Sequence, residues 1–205
     1  MKRTSTDAEY LNSGKLVLDV DGIPFEPAAK SYVDRRAPID SFTGTGFPEG
    51  KISAPVGSIY TDTAATNGAI RWIKTSGAGN TGWRVEYGDT GWRNISSLMV
   101  NGWGGSVYIR RINASVELRA EGLTRSETSH TIMTLPAGFL PTQAAGYGFR
   151  FVLHQADPTA SQTRFRILSN TLTTINSSTV PGPYYGGTTW TISEAWPNTL
   201  PGTPA

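Results

Sequence analysis

No cysteine occurs anywhere in the 205 residues, so disulfides, thiolate metal sites and cysteine nucleophiles are excluded together, and stability has to come from packing or association. Histidine is scarce too: His130 and His154 are the only two. Neither has a second histidine or a carboxylate at ligand spacing, so both read as plain strand positions, and no metal or other cofactor is expected. Charge is sparse and nearly balanced, 18 basic against 16 acidic side chains for a net of +2, which argues against the broad basic field of a nucleic-acid-binding protein. Arginine nonetheless dominates the cations of the C-terminal half (Arg110, Arg111, Arg119, Arg125, Arg150, Arg164, Arg166), so a local cluster facing a polyanion stays open. No apolar run approaches a membrane span, and the N-terminal MKRTSTDAEYLNSGKLVLDVDG lacks an apolar core of signal-peptide length. The expectation is a soluble chain made in a cytosol, with no membrane partner.

Catalytic constellations are missing as well. No serine sits in a G-x-S-x-G elbow. The stretch Asp19-Val20-Asp21-Gly22 is followed by Ile23 where a calcium loop needs a third oxygen ligand, and it reads as a turn after a strand at 15–20. Glycan hydrolysis needs two carboxyl groups about 5–10 Å apart, and nothing in the spacing of Glu86, Asp89, Glu117, Glu121 and Asp157 pairs them. The glycines of GAGNTG at 77–82 lack the Gly-Lys-Ser/Thr ending and following helix of a phosphate cradle. The chain is therefore expected not to be an enzyme, and its three Asn-x-Ser matches, at Asn94, Asn113 and Asn176, are expected to be chance.

What is present is turn chemistry. With 23 glycines and 13 prolines, the chain suits short strands with tight connections. Residues 57–95, GSIYTDTAATNGAIRWIKTSGAGNTGWRVEYGDTGWRNI, alternate apolar and polar side chains at Ile70, Trp72, Trp83, Val85 and Tyr87 between glycine and asparagine turns, which predicts half-buried hairpin strands. Two TGWR tetrads, at 81–84 and 90–93, predict successive strands presenting the same face. Strands are further predicted at 107–112, 115–119, 129–134, 147–155, 163–169, 172–176 and 188–193. A short helix is predicted from Pro27 through Arg36, its narrow stripe of Ala29, Tyr32 and Val33 needing a partner to cover it. Residues 196–204 carry too many prolines for a central strand and are expected to form an extended strap or hang free.

The run GSIYTD, ATNGA, W-I-K, GNTGW and GDTGWR resembles a module of bacteriophage tail fibre and minor tail proteins, often from phages of actinobacteria. Ala28-Ala29-Lys30-Ser31-Tyr32-Val33-Asp34 is similar to the A-x-K-x-YVD element of tail fibre stalks. Thr134-Leu135-Pro136-Ala137-Gly138-Phe139-Leu140-Pro141 is similar to the LPAGF-x-P element of their C-terminal heads. The three occur in the family's order and cover about residues 15–141. The resemblance implies an intertwined homotrimer in the virion, held to another structural protein by its N-terminal segment and touching the host surface. The organisation expected is a mainly β chain: virion attachment and stem at 1–40, linker at 41–56, β-hairpin module at 57–95, and a β-sandwich or jelly-roll-like head at 96–205.

Adhesion to a host-surface glycan is the expected function, because sugars are held by aromatic faces with amide or carboxylate groups on their hydroxyls. Asp157, Tyr184, Tyr185 and Trp190 are the expected ligand-binding residues, on late loops where the resemblance fades. Core packing of these rings is the alternative, and the arginine-bearing strands at 107–119 are the next candidate surface. A head fibre or capsid decoration protein, and less so a small glycan hydrolase, are the alternative functions.

Overall fold

The structure, a computed structural model, describes residues 18–20, 23–25, 40–142, 148–155, 163–175 and 182–205. The helix expected at 27–36 lies outside these residues, as does Asp157. The chain divides into two compact units, Met1–Asp40 and Ser41–Ala205. In the first, strands β1 (Leu18–Val20) and β2 (Ile23–Phe25) form an antiparallel pair with Val20 opposite Ile23.

The second unit is built on alternation. In β8 (Trp103–Ile112) and β9 (Ser115–Arg125), Val107, Ile109, Val116, Leu118 and Ala120 point inward at every second position while Tyr108, Arg110, Glu117 and Arg119 point outward. Two residues, Asn113 and Ala114, connect them; Asn113 takes φ 51°, which asparagine tolerates better than most side chains. Around this hairpin run β7 (Arg93–Asn94), β10 (Thr131–Thr134), β11 (Phe149–Gln155), β12 (Thr163–Leu168), β13 (Thr171–Thr174), β14 (Tyr184–Thr191) and β15 (Thr203–Pro204). They form one nine-stranded antiparallel sheet in the order β10-β13-β12-β11-β14-β9-β8-β7-β15. The sheet curls on itself: β10 at its edge returns to the segment leading into β8, where Val100 N–H donates to Ile132 O at 2.9 Å and Met99 bridges Met133. The sandwich-like character expected for residues 96–205 thus comes from one sheet bent over its own core. That core gathers Ile95, Ile109, Leu123, Met133, Phe139, Leu153, Phe165, Tyr184 and Trp190.

A second, four-stranded sheet has the order β3-β4-β5-β6, from β3 (Ser41–Gly44), β4 (Ile59–Asp62), β5 (Ala69–Lys74) and β6 (Trp83–Gly88). Residues 41–56 are therefore not a linker. Ser41–Gly44 pairs in parallel with β4, and Phe47, Ile52 and Ala54 pack with Tyr60, Trp72, Trp83 and Trp196 in a separate core. Proline and glycine content suggested a loose segment, yet its few aromatic and aliphatic residues cover one side of the sheet. The hairpin module expected at 57–95 is likewise redrawn: the small sheet spans 41–88, and β7 belongs to the large sheet. Strict alternation also fails here. Register shifts around Arg71 turn Ile70 and Tyr87 outward, 42% and 54% exposed, while Trp72 and Trp83 stay inside, because a bulge changes the parity of the side chains beyond it. The two TGWR tetrads part company for a related reason, Trp83 entering the small core and Trp92 lying half-buried beside the large sheet.

The small sheet is tied to the large one by the strap after β14. Arg111, only 5% exposed, donates Nε to Asn113 O, Nη1 to Gly138 O and Ala195 O, and Nη2 to Glu194 O, all at 2.8–3.0 Å. Its guanidinium lies 4.7 Å from the Trp196 ring. That ring enters the small core, donating Nε1 to Asn67 O at 3.0 Å. It rests on Gly88, where any Cβ would come within 2.8 Å of it. Asn67 in turn donates to Pro197 O at 2.8 Å. Burial lowers the pKa of Arg111 to about 10, so it stays ionised at neutral pH. Beyond the strap, Pro204 sits in the edge strand β15, and Arg93 holds Pro201 O and Gly202 O at 2.9 Å. An edge is where a sheet tolerates proline.

Candidate functional site

The outer face of β7, β8, β9 and β14 carries the most ligand-like arrangement among the described residues. Cross-strand register places Tyr108, Arg119 and Gly187 in one row. The Arg119 guanidinium lies 5.0 Å from the Tyr108 ring centroid and 5.5 Å from that of Trp92, and its Nε is 3.1 Å from Glu121 Oε1. Stacked and paired, it is held in place despite being half exposed. Next to it β14 has no side chain at all. A Cβ on Gly187 would stand 2.6 Å from Leu118 O, so glycine is required by the close approach of the strands, and its absence of side chain leaves a trench of about 570 Å³. Trp92, Glu117, Arg119, Glu121, Tyr185 and Thr189 rim it.

The arrangement offers ring surfaces for C–H groups, carboxylates and hydroxyls for polar groups, and bare backbone at the floor. Glu117 and Glu121 are four residues apart on one strand, about 13 Å between Cα atoms, with Arg119 between them.

Of the described residues expected to bind ligand, Tyr185 alone is presented on this face, 43% exposed. Tyr184 is 2% exposed with its ring edge-on to Phe165 at 5.5 Å, and Trp190 is 4% exposed, donating Nε1 to Phe139 O at 3.0 Å. Both are core rings, and neither offers a face to solvent. The error lay in treating 180–190 as a loop: it contains an eight-residue strand, so neighbouring side chains go to opposite faces. Trp92 and Glu121 were not among the residues expected to bind ligand, whereas Glu117 and Arg119 lie on the next candidate surface at 107–119 and the Gly186-Gly187 pair lies in the late segment beside Tyr185. The available signal was two glycines inside a β-branched run, which mark a close backbone approach.

A second concavity, about 550 Å³, lies between the small sheet and the strap. Arg84 apart, its charged lining is already in use. Arg111 is saturated by carbonyls, Glu49 accepts from Gly82 N and Trp83 N, and Glu194 accepts from Gly138 N and Leu140 N. The glycine-rich loop at 77–82 also faces the wrong way for phosphate: the carbonyls of Gly79, at 2.8 Å, and Thr81 converge on the buried Lys74 ammonium. It captures a cation from its own sheet.

The histidines are apart. His130 Nδ1 meets Thr174 Oγ1 at 2.8 Å just before β10, and His154 stands exposed on β11 opposite Tyr185. Among the described residues no three His, Asp or Glu side chains gather as a metal site, and no helix is long and apolar enough to cross a membrane. Compared with protein-family models, curated proteins and solved structures, the chain matches none. The class that the fold defines is a mainly β protein whose second unit is made of two sheets with separate cores.

Proposed function

We propose that this chain is an adhesion component of a virion, a trimeric bacteriophage tail fibre or minor tail protein, that contacts a host-surface glycan through the trench over β9 and β14. The observation that carries the binding reading is the combination, on regular strands, of an exposed Tyr185, a stacked Arg119 and the bare backbone of Gly187. Three segments with tail-fibre character, at 28–34, 57–95 and 134–141, support the virion assignment, and the first of them lies in the separate unit ending at Asp40, which suits attachment to another virion protein. A shallow site of this kind binds weakly, and three copies per fibre raise its effective affinity through multivalency.

The test is adsorption of virions, or of the purified chain, to host cells. Trp92→Ala and Tyr185→Ala are expected to weaken attachment by about 1–3 kcal/mol per site, amplified by avidity, with the trimer and its melting unchanged. Parental adsorption by both variants would remove the trench from the mechanism; a monomer in light scattering would remove the trimer.

A further inference from the structure

The outer face of β11 and β12 is charged in a way that the trench is not. Arg150 and Arg166 are direct cross-strand partners, and Arg164, two residues from Arg166 on the same strand, faces Val152. Arg150 and Arg164 are exposed and Arg166 is half-buried, while Phe165 and Ile167 between and beyond them are sealed in the core. Three cations thus share one face. Like charges directly opposite one another destabilise a strand pair, and no carboxylate stands on β10, β12 or β13 beside Arg164 and Arg166.

Other arginines of the protein show what is missing. Arg71 pairs with Glu86, Arg110 with Asp89 and Arg119 with Glu121, whereas Arg93 and Arg111 are taken up by carbonyls. Neither Arg164 nor Arg166 has an ion pair among the described residues, and Arg166 Nε is buried without any hydrogen-bond partner. A buried donor left unpaired among the described residues is open to an acceptor from outside the fold, a water or a bound anion.

We infer that this face is a second binding site, separate from the trench, for an anionic surface polymer whose repeating phosphodiester or uronate groups are bound by Arg164 and Arg166. A guanidinium fork fits a carboxylate or a phosphate bidentately. Two forks about 7 Å apart along one strand suit successive anionic groups of a chain better than a single small anion. The protein's net charge is only +2, so attraction is local to this patch. The affinity should fall steeply with salt, since each guanidinium-to-anion contact releases counterions.

The experiment immobilises poly(glycerol phosphate), polygalacturonate, neutral dextran and duplex DNA, and measures retention of the full chain at low and high salt. One of the first two polymers is expected to bind, at least about tenfold more weakly when salt is raised tenfold; which one separates phosphodiester from uronate. Arg164→Gln with Arg166→Gln should lose at least about tenfold of that affinity with melting unchanged, the size of loss expected for two charge-assisted contacts. If the double variant melts early, the exposed Arg164→Gln alone decides, with a drop of at least about threefold expected for one contact. Tyr185→Ala should leave polyanion binding intact, so this site and the trench stand or fall independently. No binding at low salt, equal binding of dextran or DNA, or arginine variants that bind like the parent would each overturn the inference.

Discussion

Arg111 and Arg119 are both stacked on tryptophan, at 4.7 Å from Trp196 and 5.5 Å from Trp92, yet the two regions they organise work differently. At the joint, the arginine is buried and every nitrogen donates to a carbonyl of the strap or of the turns beside it, so the stack locks the small sheet onto the large one. On the trench the same pair is half exposed, its one ion partner is Glu121, and a glycine leaves the neighbouring strand bare. Stacking gives position in both places. Whether that position serves the fold or a ligand depends on where the remaining donors end.

The comparison breaks most sharply at Arg111. Arg111→Met leaves four carbonyls without their donor in a buried joint, and denaturant unfolding should show a loss of about 3–5 kcal/mol. Trp196→Ala should cost a similar amount, about 3–5 kcal/mol. The double variant should lose less than the sum, since the two side chains form one contact. A fully additive result would mean that the stack contributes nothing beyond its parts. Lys74→Met comes next. Its ammonium is the donor to Gly79 O and Thr81 O, and removing it should cost about 1–3 kcal/mol in melting or denaturant experiments, with the 77–82 turn the first region to lose amide protection.

On the trench side, Arg119→Ala and Tyr185→Ala should each change stability by less than about 1 kcal/mol, the opposite of the joint. A large loss there would erase the distinction between the two regions. The smallest effect concerns Asp89, whose two carboxylate oxygens are bonded by Arg110. That contact, with help from Gly91 N–H, holds its pKa below the usual value of 3.8. A depressed carboxylate stabilises the fold at all pH values above its unfolded pKa, and this contribution disappears as pH falls through the folded value. Acid unfolding below pH 3.8 should therefore be slightly less steep in Asp89→Asn than in the parent. The difference should be under about 1 kcal/mol for a pair about one-third exposed.

Much of the strand plan was legible. The predicted segments 107–112, 115–119, 163–169 and 172–176 fall on β8, β9, β12 and β13 because their alternation is regular and their turns carry asparagine or glycine. The strap at 196–204 followed from proline chemistry alone. Ile70 and Tyr87 were misread because a bulge is set by pairing with a neighbouring strand, and periodicity within one strand carries no trace of it. Residues 41–56 were misread because composition reports loop-like character while the burial of Phe47 and Ile52 depends on a sheet formed by residues farther along. Of the candidate face, Tyr185 and, as a second choice, the strands at 107–119 were legible. Trp92, Arg119 and Gly187 come from three separate stretches, and register alone puts them side by side.

The sequence by itself determined that this protein is mainly β, rich in tight turns and free of cysteine chemistry, because those properties follow from residue type, period-two alternation and the backbone preferences of glycine, asparagine and proline. Only the tertiary structure decided which of two identical TGWR tetrads buries its tryptophan, which of its arginines end on carbonyls, and that Arg164 and Arg166 share one face with no ion pair among the described residues. Those outcomes depend on cross-strand neighbours and on the local dielectric around each side chain, and both arise from contacts between residues far apart in the chain.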